Sequence, residues 1–404
     1  MSNNKKAVGC GVEIVSQGFA KMLSKEAAGK LSRFHMQYCF QESRCLLRYN
    51  DHGPKGENPP IISYAGMSRS RVYTGTRESG SYNHHSQITK FKGMYYFAWS
   101  NGLVDEEAAG QRVLLSSSND GINWSEPICI IGDKNDPVIA HNCIALHATE
   151  EKLCIVVMSE GTSKDATVPG MRRIDPDSQE VNVYASTDGL KWGKAFTFTD
   201  ELRWIFESPR LTADGHLLCA AGTKNRGAAI LRWPGNEICE HPEIIEVSQP
   251  HGSVFSYGEG TWYQTDDGTI IMFQRDEGKS CRVWVNYSED GGKTFSEAVI
   301  SDIPDSMSRL YAGRLSDGRY YLCNNAFPTL LNRTHLMLML SDDGYKFNKV
   351  SILINDPTSQ RLTGLLKADG YQYPCCLPDG DRLLVGYSVN KEDIECGIVD
   401  TKKI

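Results

Sequence analysis

The sequence predicts an all-β chain folded as a six-bladed β-propeller of four-stranded antiparallel blades. Three observations carry that prediction. A Ser-x-Asp turn followed by glycine and an aromatic recurs four times: Ser118-Asn119-Asp120-Gly121 with Trp124, Ser186-Thr187-Asp188-Gly189 with Trp192, Ser288-Glu289-Asp290-Gly291 with Phe295, and Ser341-Asp342-Asp343-Gly344 with Phe347. Six segments repeat a polar start, a short apolar strand, a Gly- or Asp-containing turn and a second apolar strand. Their starts are spaced by roughly 50 to 65 residues, which suits four-stranded blades with variable outer loops.

The repeated turn has a structural logic. Ser and Asp side chains accept backbone amides within the turn, and glycine takes the positive φ that Asp-Gly turns need. The aromatic tucks under the hairpin as a buried anchor. These four Asp residues are therefore expected to be structural.

The six segments start at Asn83-His84-His85, His141-Asn142, Glu207-Ser208, Glu259-Gly260, Ser308-Arg309 and Tyr371-Gln372. Second strands are expected at 94–100, 153–158, 216–221, 269–274, 319–323 and 382–388, after turns such as Lys92-Gly93, Asp214-Gly215, Asp267-Gly268, Asp317-Gly318 and Asp379-Gly380. The last segment has room for about three strands, so a strand from the N-terminal region, around 45–49, is expected to complete it and remove the open edge. Residues 1–82 form the segment that supplies ring closure and 83–404 the blades, as one domain. Residues 19–31 have the composition of a short helix. Residues 53–60 read as a turn-rich loop. Residues 61–64 and 71–76 look like strands and leave open a seventh, irregular blade.

Composition narrows the partners. The 404-residue chain carries a net charge of −7, which gives no electrostatic case for nucleic acid or an anionic membrane. Its 37 glycines and 18 tyrosines suit many turns and strands. Thirteen cysteines are scattered without Cys-x-x-Cys pairs. Residues 1–18 lack the apolar core of a secretory signal, and no stretch approaches a membrane span. Free thiols in a cytoplasmic protein are the expectation.

On its four turns at blade-like spacing, the chain resembles the sialidase superfamily of Asp-box propellers over roughly residues 83–404. That resemblance implies a carbohydrate-active enzyme, an exo-glycoside hydrolase that removes a terminal acidic sugar from a glycan or oligosaccharide. It also implies arginines for the substrate carboxylate, a tyrosine nucleophile with a glutamate partner, and an acid/base aspartate. Glu259, with Arg275 at the end of Ile270-Ile271-Met272-Phe273-Gln274-Arg275, resembles the segment holding the glutamate and one arginine. Arg309 matches a second arginine, and Tyr373 stands where the nucleophile would open the last blade. The first blade departs from the family. It opens Tyr82-Asn83-His84-His85-Ser86-Gln87, without the Arg-Ile-Pro arginine, and the acid/base falls to Asp105 or Glu106.

The residues themselves support related chemistry. Inner strands of a propeller line a central channel, so their starts converge on one mouth. A histidine there can move a proton or bind a metal, and strand alternation is expected to aim only one of His84 and His85 inward. His141 and His147 are further candidate ligands. Glu259 beside Tyr373 makes a base and nucleophile, with Arg275 and Arg309 as a carboxylate clamp. Glu207 and Arg210 repeat the theme, Asn390, Lys391 and Glu392 are candidates for the pocket rim, and Tyr311, Trp99 and Trp262 are candidates for stacking on a sugar. No cofactor motif is present. A lyase or unusual glycosidase using a histidine on uronic-acid glycans, and a non-catalytic glycan-binding propeller, are the competing readings.

Overall fold

The structure, a computed structural model, describes residues 61–162, 174–199, 201–224, 227–248, 259–364 and 366–404, together with two short strands, Cys39–Phe40 and Leu47–Arg48. The helix expected at 19–31 and the loop expected at 53–60 lie outside the described residues. No described helix is long and apolar enough to cross a membrane.

Six sheets of four or five strands follow one another along the chain. Blade I comprises Tyr82–Phe91, Met94–Gly102, Arg112–Ser118 and Ile128–Ile131. Blade II comprises Ile139–Ala148, Leu153–Thr162, Ile174–Ser186 and Gly193–Thr197. Blade III has a split inner strand, Leu202–Ile205 and Arg210–Leu211, then His216–Thr223, Ala228–Pro234 and Glu243–Glu246. Blade IV comprises Gly260–Gln264, Ile270–Gln274, Arg282–Ser288 and Val299–Pro304. Blade V comprises Tyr311–Arg314, Tyr320–Asn324, Leu336–Ser341 and Lys349–Ile354, with Ile61–Tyr64 added in parallel at its outer edge. Blade VI comprises Tyr371–Asp379, Arg382–Val389 and Asp393–Asp400.

The ring closes through Ser68–Thr74, which pairs antiparallel with Asp393–Asp400. This corrects the closing strand expected at 45–49, where Leu47–Arg48 pairs instead with Cys39–Phe40. The physical reason is that an outermost strand needs little apolar surface. Ser68–Thr74 is mostly exposed, buries Val72, and is tied to blade VI by Arg71, which pairs with Asp393 and with Glu395 at 2.9 Å. The N-terminal strands at 61–64 and 68–74 thus widen blades V and VI and build no seventh blade among the described residues.

The four Asp turns sit between the third and fourth strands of blades I, II, IV and V. In blade II, Ser186 Oγ donates to Asp188 Oδ1 (3.0 Å), and Asp188 Oδ1 accepts the amides of Leu190 (2.8 Å) and Lys191 (2.9 Å). Each turn also docks on the preceding blade. Gly121 faces Leu384 of blade VI, Gly189 faces Tyr96 of blade I, Gly292 faces Leu218 of blade III and Gly344 faces Thr265 of blade IV. Apolar side chains between neighbouring sheets form the core, with Trp99, Trp233 and Trp262 fully buried.

The turn glycine at position 189 is required twice over. Its φ is +74°, and a Cβ there would lie 2.6–2.9 Å from Tyr96 ring atoms. Gly189→Ala is expected to destabilise the protein by at least about 1–2 kcal/mol from left-handed backbone strain alone. Gly193→Ala, where a Cβ meets nothing within 4 Å, should stay within about 0.5 kcal/mol of wild type. Urea midpoints of the two variants check this difference.

Candidate functional site

Two positions in a blade face one mouth of the channel: the start of the inner strand, and the loop from the second strand to the third. Blades I, IV, V and VI bring charged and aromatic groups together there.

Paired bulges shape the centre. The register of blade I shifts between His84 and Gln87, and that of blade VI between Gln372 and Cys375. His85 and Tyr373 both take φ near +54°, in the left-handed region. A bulge inserts an extra residue and breaks strand alternation. Consequently both histidines face Tyr373, His84 with ring centroids 4.1 Å apart and His85 at 5.7 Å, contrary to the expectation of one inward side chain. Ser86 Oγ donates to the Tyr373 carbonyl (3.3 Å) and ties the two bulges together.

Three arginines surround the same tyrosine. Arg275 Nη1 donates to Glu259 Oε2 (2.6 Å) and to the Tyr373 hydroxyl (2.7 Å), while its Nη2 pairs with Glu277 Oε1 (2.7 Å). Arg309 donates through Nε (3.1 Å) and Nη2 (2.6 Å) to Glu259 Oε1, and its guanidinium lies 4.6 Å from the Tyr373 ring centroid. Arg333 stands 5.4 Å from that centroid and donates through Nη1 to Gln372 Oε1 (2.5 Å). Each guanidinium retains a buried N–H without a protein partner: Nε of Arg275, Nη1 of Arg309 and Nε of Arg333.

Electrostatics assign protonation states. Burial pushes the Tyr373 phenol up to about 12 against the pull of Arg275, so it is neutral at pH 7. Burial opposes ionisation of Glu259, but Arg309 and Arg275 outweigh it and hold the carboxylate at about 2. Burial, then Lys391, lowers His84 well below its ordinary value, and burial lowers His85, leaving both imidazoles neutral.

Beside the histidines lies a third group. His85 Nε2 is 3.2 Å from Glu106 Oε1, and Lys391 Nζ is 2.8 Å from Glu106 Oε2. Glu106 stays ionised because Lys391 and His85 overcome the cost of its burial. Ligand atoms of His84, His85 and Glu106 all lie within 4.8 Å of one another, the one such group among the described residues.

The sequence-predicted residues divide accordingly. Glu259, Arg275, Arg309, Tyr373, His84 and His85 come together. Asp105 Oδ1 lies 3.4 Å from Leu366 N, and Glu106 takes the place beside His85. Glu207 and Arg210 pair with each other deeper in the channel (2.6 Å), and Thr261 Oγ1 also donates to Glu207 (2.6 Å). Arg210 lies against Tyr311 and Trp262, and these three line a cavity of about 600 Å³ further along the channel. Asn390 is a latch: its Oδ1 accepts Gly370 N (2.8 Å) and its Nδ2 donates to Ser359 O (3.0 Å). Trp99 is core. Arg333, Glu277 and Lys391 join the site from second-to-third-strand loops. For Arg333 and Glu277 the only sequence signal was that position relative to each blade's second strand, whereas Lys391 follows Asn390 at the expected rim.

Glu259 contributes stability that is present above the unfolded carboxyl value of 4.5 and lost as pH falls towards 2. Glu259→Gln should lose about 2–4 kcal/mol at pH 7, because it strands buried guanidinium charge. The gap to wild type should shrink below about pH 4. Urea titrations of both proteins at pH 7 and pH 3.5 check the sign.

Comparison with known proteins agrees with this architecture. The BNR repeat-like domain family matches residues 94–385. A crystal structure of a protein of unknown function from Dyadobacter fermentans superposes with a TM-score of 0.64 at 15% identity, over 83% of this chain and 99% of that one. The intramolecular trans-sialidase from Ruminococcus gnavus, solved with oseltamivir carboxylate, gives 0.60 at 12% identity, over 83% and 98%. Trypanosoma rangeli sialidase gives 0.59 at 15% identity, over 84% of this chain and 60% of that one. No curated protein matches by sequence. At these identities the solved structures speak for the fold, and the family match extends over most of the chain: it belongs to the BNR repeat-like family, as a six-bladed propeller of the sialidase type.

Proposed function

We propose that the protein is an exo-glycoside hydrolase that removes a terminal acidic sugar from a glycan or oligosaccharide. The observation that carries this reading is the convergence of Arg275, Arg309 and Arg333 on Tyr373, each with a buried N–H left to donate. Guanidinium donors match a carboxylate in shape and charge, and leaving them unpaired is costly. The resemblance to sialidases and the sialidase folds among the structural neighbours support the same class.

Tyr373 attacks the anomeric carbon, and its phenolic proton passes to Glu259. The glycosidic bond breaks, and the leaving oxygen takes a proton from the His85, Glu106 and Lys391 group. Water then hydrolyses the tyrosyl intermediate by the reverse proton path. Glu259 at about 2 is a poor base in the free protein. A sugar carboxylate competing for Arg275 and Arg309 loosens their hold and raises its basicity, so binding and activation are linked.

Chromogenic glycosides of sialic and uronic acids test the proposal. Free acidic sugar is expected, with turnover lost in Tyr373→Phe. Arg333→Ala should raise KM by roughly 10- to 100-fold, the value of a hydrogen bond to a charged group. Undiminished turnover in Tyr373→Phe, an ultraviolet-absorbing unsaturated uronate, or binding without product would each overturn it.

A further inference from the structure

We propose that His84, His85 and Glu106 form a binding site for a divalent first-row transition ion of the zinc type. The donor geometry carries this. His84 Nδ1 lies 2.7 Å from Ser388 Oγ, and His85 Nδ1 lies 3.2 Å from Ser100 Oγ. Each hydroxyl engages one Nδ1 and leaves the Nε2 of the same ring, and one nitrogen of each imidazole and a Glu106 carboxylate oxygen all lie within 4.8 Å of one another. His84 Nε2 is fully buried and has no protein partner. An imidazole held at one nitrogen by a polar neighbour and free at the other is how proteins orient metal-binding histidines.

Charge and donor chemistry choose the ion. Lys391 occupies Glu106 Oε2, which leaves Oε1 to bind through one oxygen. Two nitrogens and one oxygen suit zinc and its neighbours, whereas Ca²⁺ and Mg²⁺ prefer oxygen alone. Three protein ligands leave a fourth position open. Of the nearby cationic groups, Arg275 and Arg309 pair with Glu259 and Glu277, Lys391 pairs with Glu106, and Arg333 donates to the neutral Gln372 Oε1. His141 and His147 are held within reach of Ser159 Oγ and Asn236 O and take no part. The site shares His85 and Glu106 with the acid group of the hydrolase reading, so an ion held there would leave Lys391 as the one member of that group free to give up a proton.

The test uses the full chain, stripped with a chelator, desalted, and titrated with Zn²⁺ alone and Co²⁺ alone. One ion per chain should survive gel filtration, and the cobalt form should show the visible absorption of a four- or five-coordinate site. His84→Gln, His85→Gln and Glu106→Gln should each weaken binding by at least about tenfold. Retention below about a tenth of an ion per chain, or equal binding in all three variants, would sink the proposal. X-ray absorption of the zinc-loaded wild type decides the matter if a variant does not fold. Two imidazoles in the coordination shell support the site, and an all-oxygen shell overturns it. Both readouts measure metal, so failure leaves the hydrolase proposal standing.

Discussion

The seam between blades VI and I is the constraint on which the rest of the molecule depends. Ser68–Thr74 zips onto Asp393–Asp400, and Asn83 spans the seam with its amide on Lys391 O (2.8 Å) and its Nδ2 on Glu392 O (2.7 Å). Asn83 Oδ1 in turn accepts Trp99 Nε1 and Asn101 Nδ2, so the start of blade I is anchored from behind. His84 and His85 reach Tyr373 and Lys391 only because residues far apart in sequence are held side by side at this seam. Such pairings cost loop entropy before they contribute stability.

Around that seam the protein concentrates like charges that water would otherwise separate. Arg275 and Arg309 share Glu259, Arg275 also pairs with Glu277, Arg333 stands beside them on the neutral Gln372 Oε1, and Lys391 leans on Glu106. Two non-glycine residues at the centre, His85 and Tyr373, hold left-handed backbone conformations. Local rules of foldability are broken there together, which is the pattern of a site kept for binding or chemistry and stabilised by the scaffold around it.

Much of the scaffold was legible because turns and apolar strands recur. Comparing equivalent strand starts led directly to Glu259, Arg309 and Tyr373, and the end of a second strand led to Arg275. Arg333 and Glu277 escaped because they sit in loops of unequal length, where no register aligns one blade with another. The double inward turn of His84 and His85 was hidden because a bulge leaves no mark in hydrophobic alternation. Ser68–Thr74 was passed over for an apolar Leu-Leu pair, although an edge strand with one solvated face is well served by alternating Ser and Arg. Glu207 and Arg210 lie at an equivalent strand start, yet they satisfy one another and Thr261 below the mouth.

The distribution of Asp turns divides the ring in a way that sequence position alone does not. The turns of blades I and II stitch blades VI, I and II together, and those of IV and V stitch blades III, IV and V together. Blade III has no such turn, and blade VI cannot have one, since its fourth strand comes from the other end of the chain. Two three-bladed arcs thus meet at the II/III and V/VI borders, where shared apolar clusters and Arg319, donating to the Thr401 and Ile404 carbonyls, make the join. Tyr373, both histidines, Glu106 and Lys391 belong to one arc, while Glu259 and all three arginines belong to the other. The contact of the phenol with its guanidiniums therefore spans the V/VI border, where side-chain packing, without a repeated turn, sets how closely the two halves of the site meet.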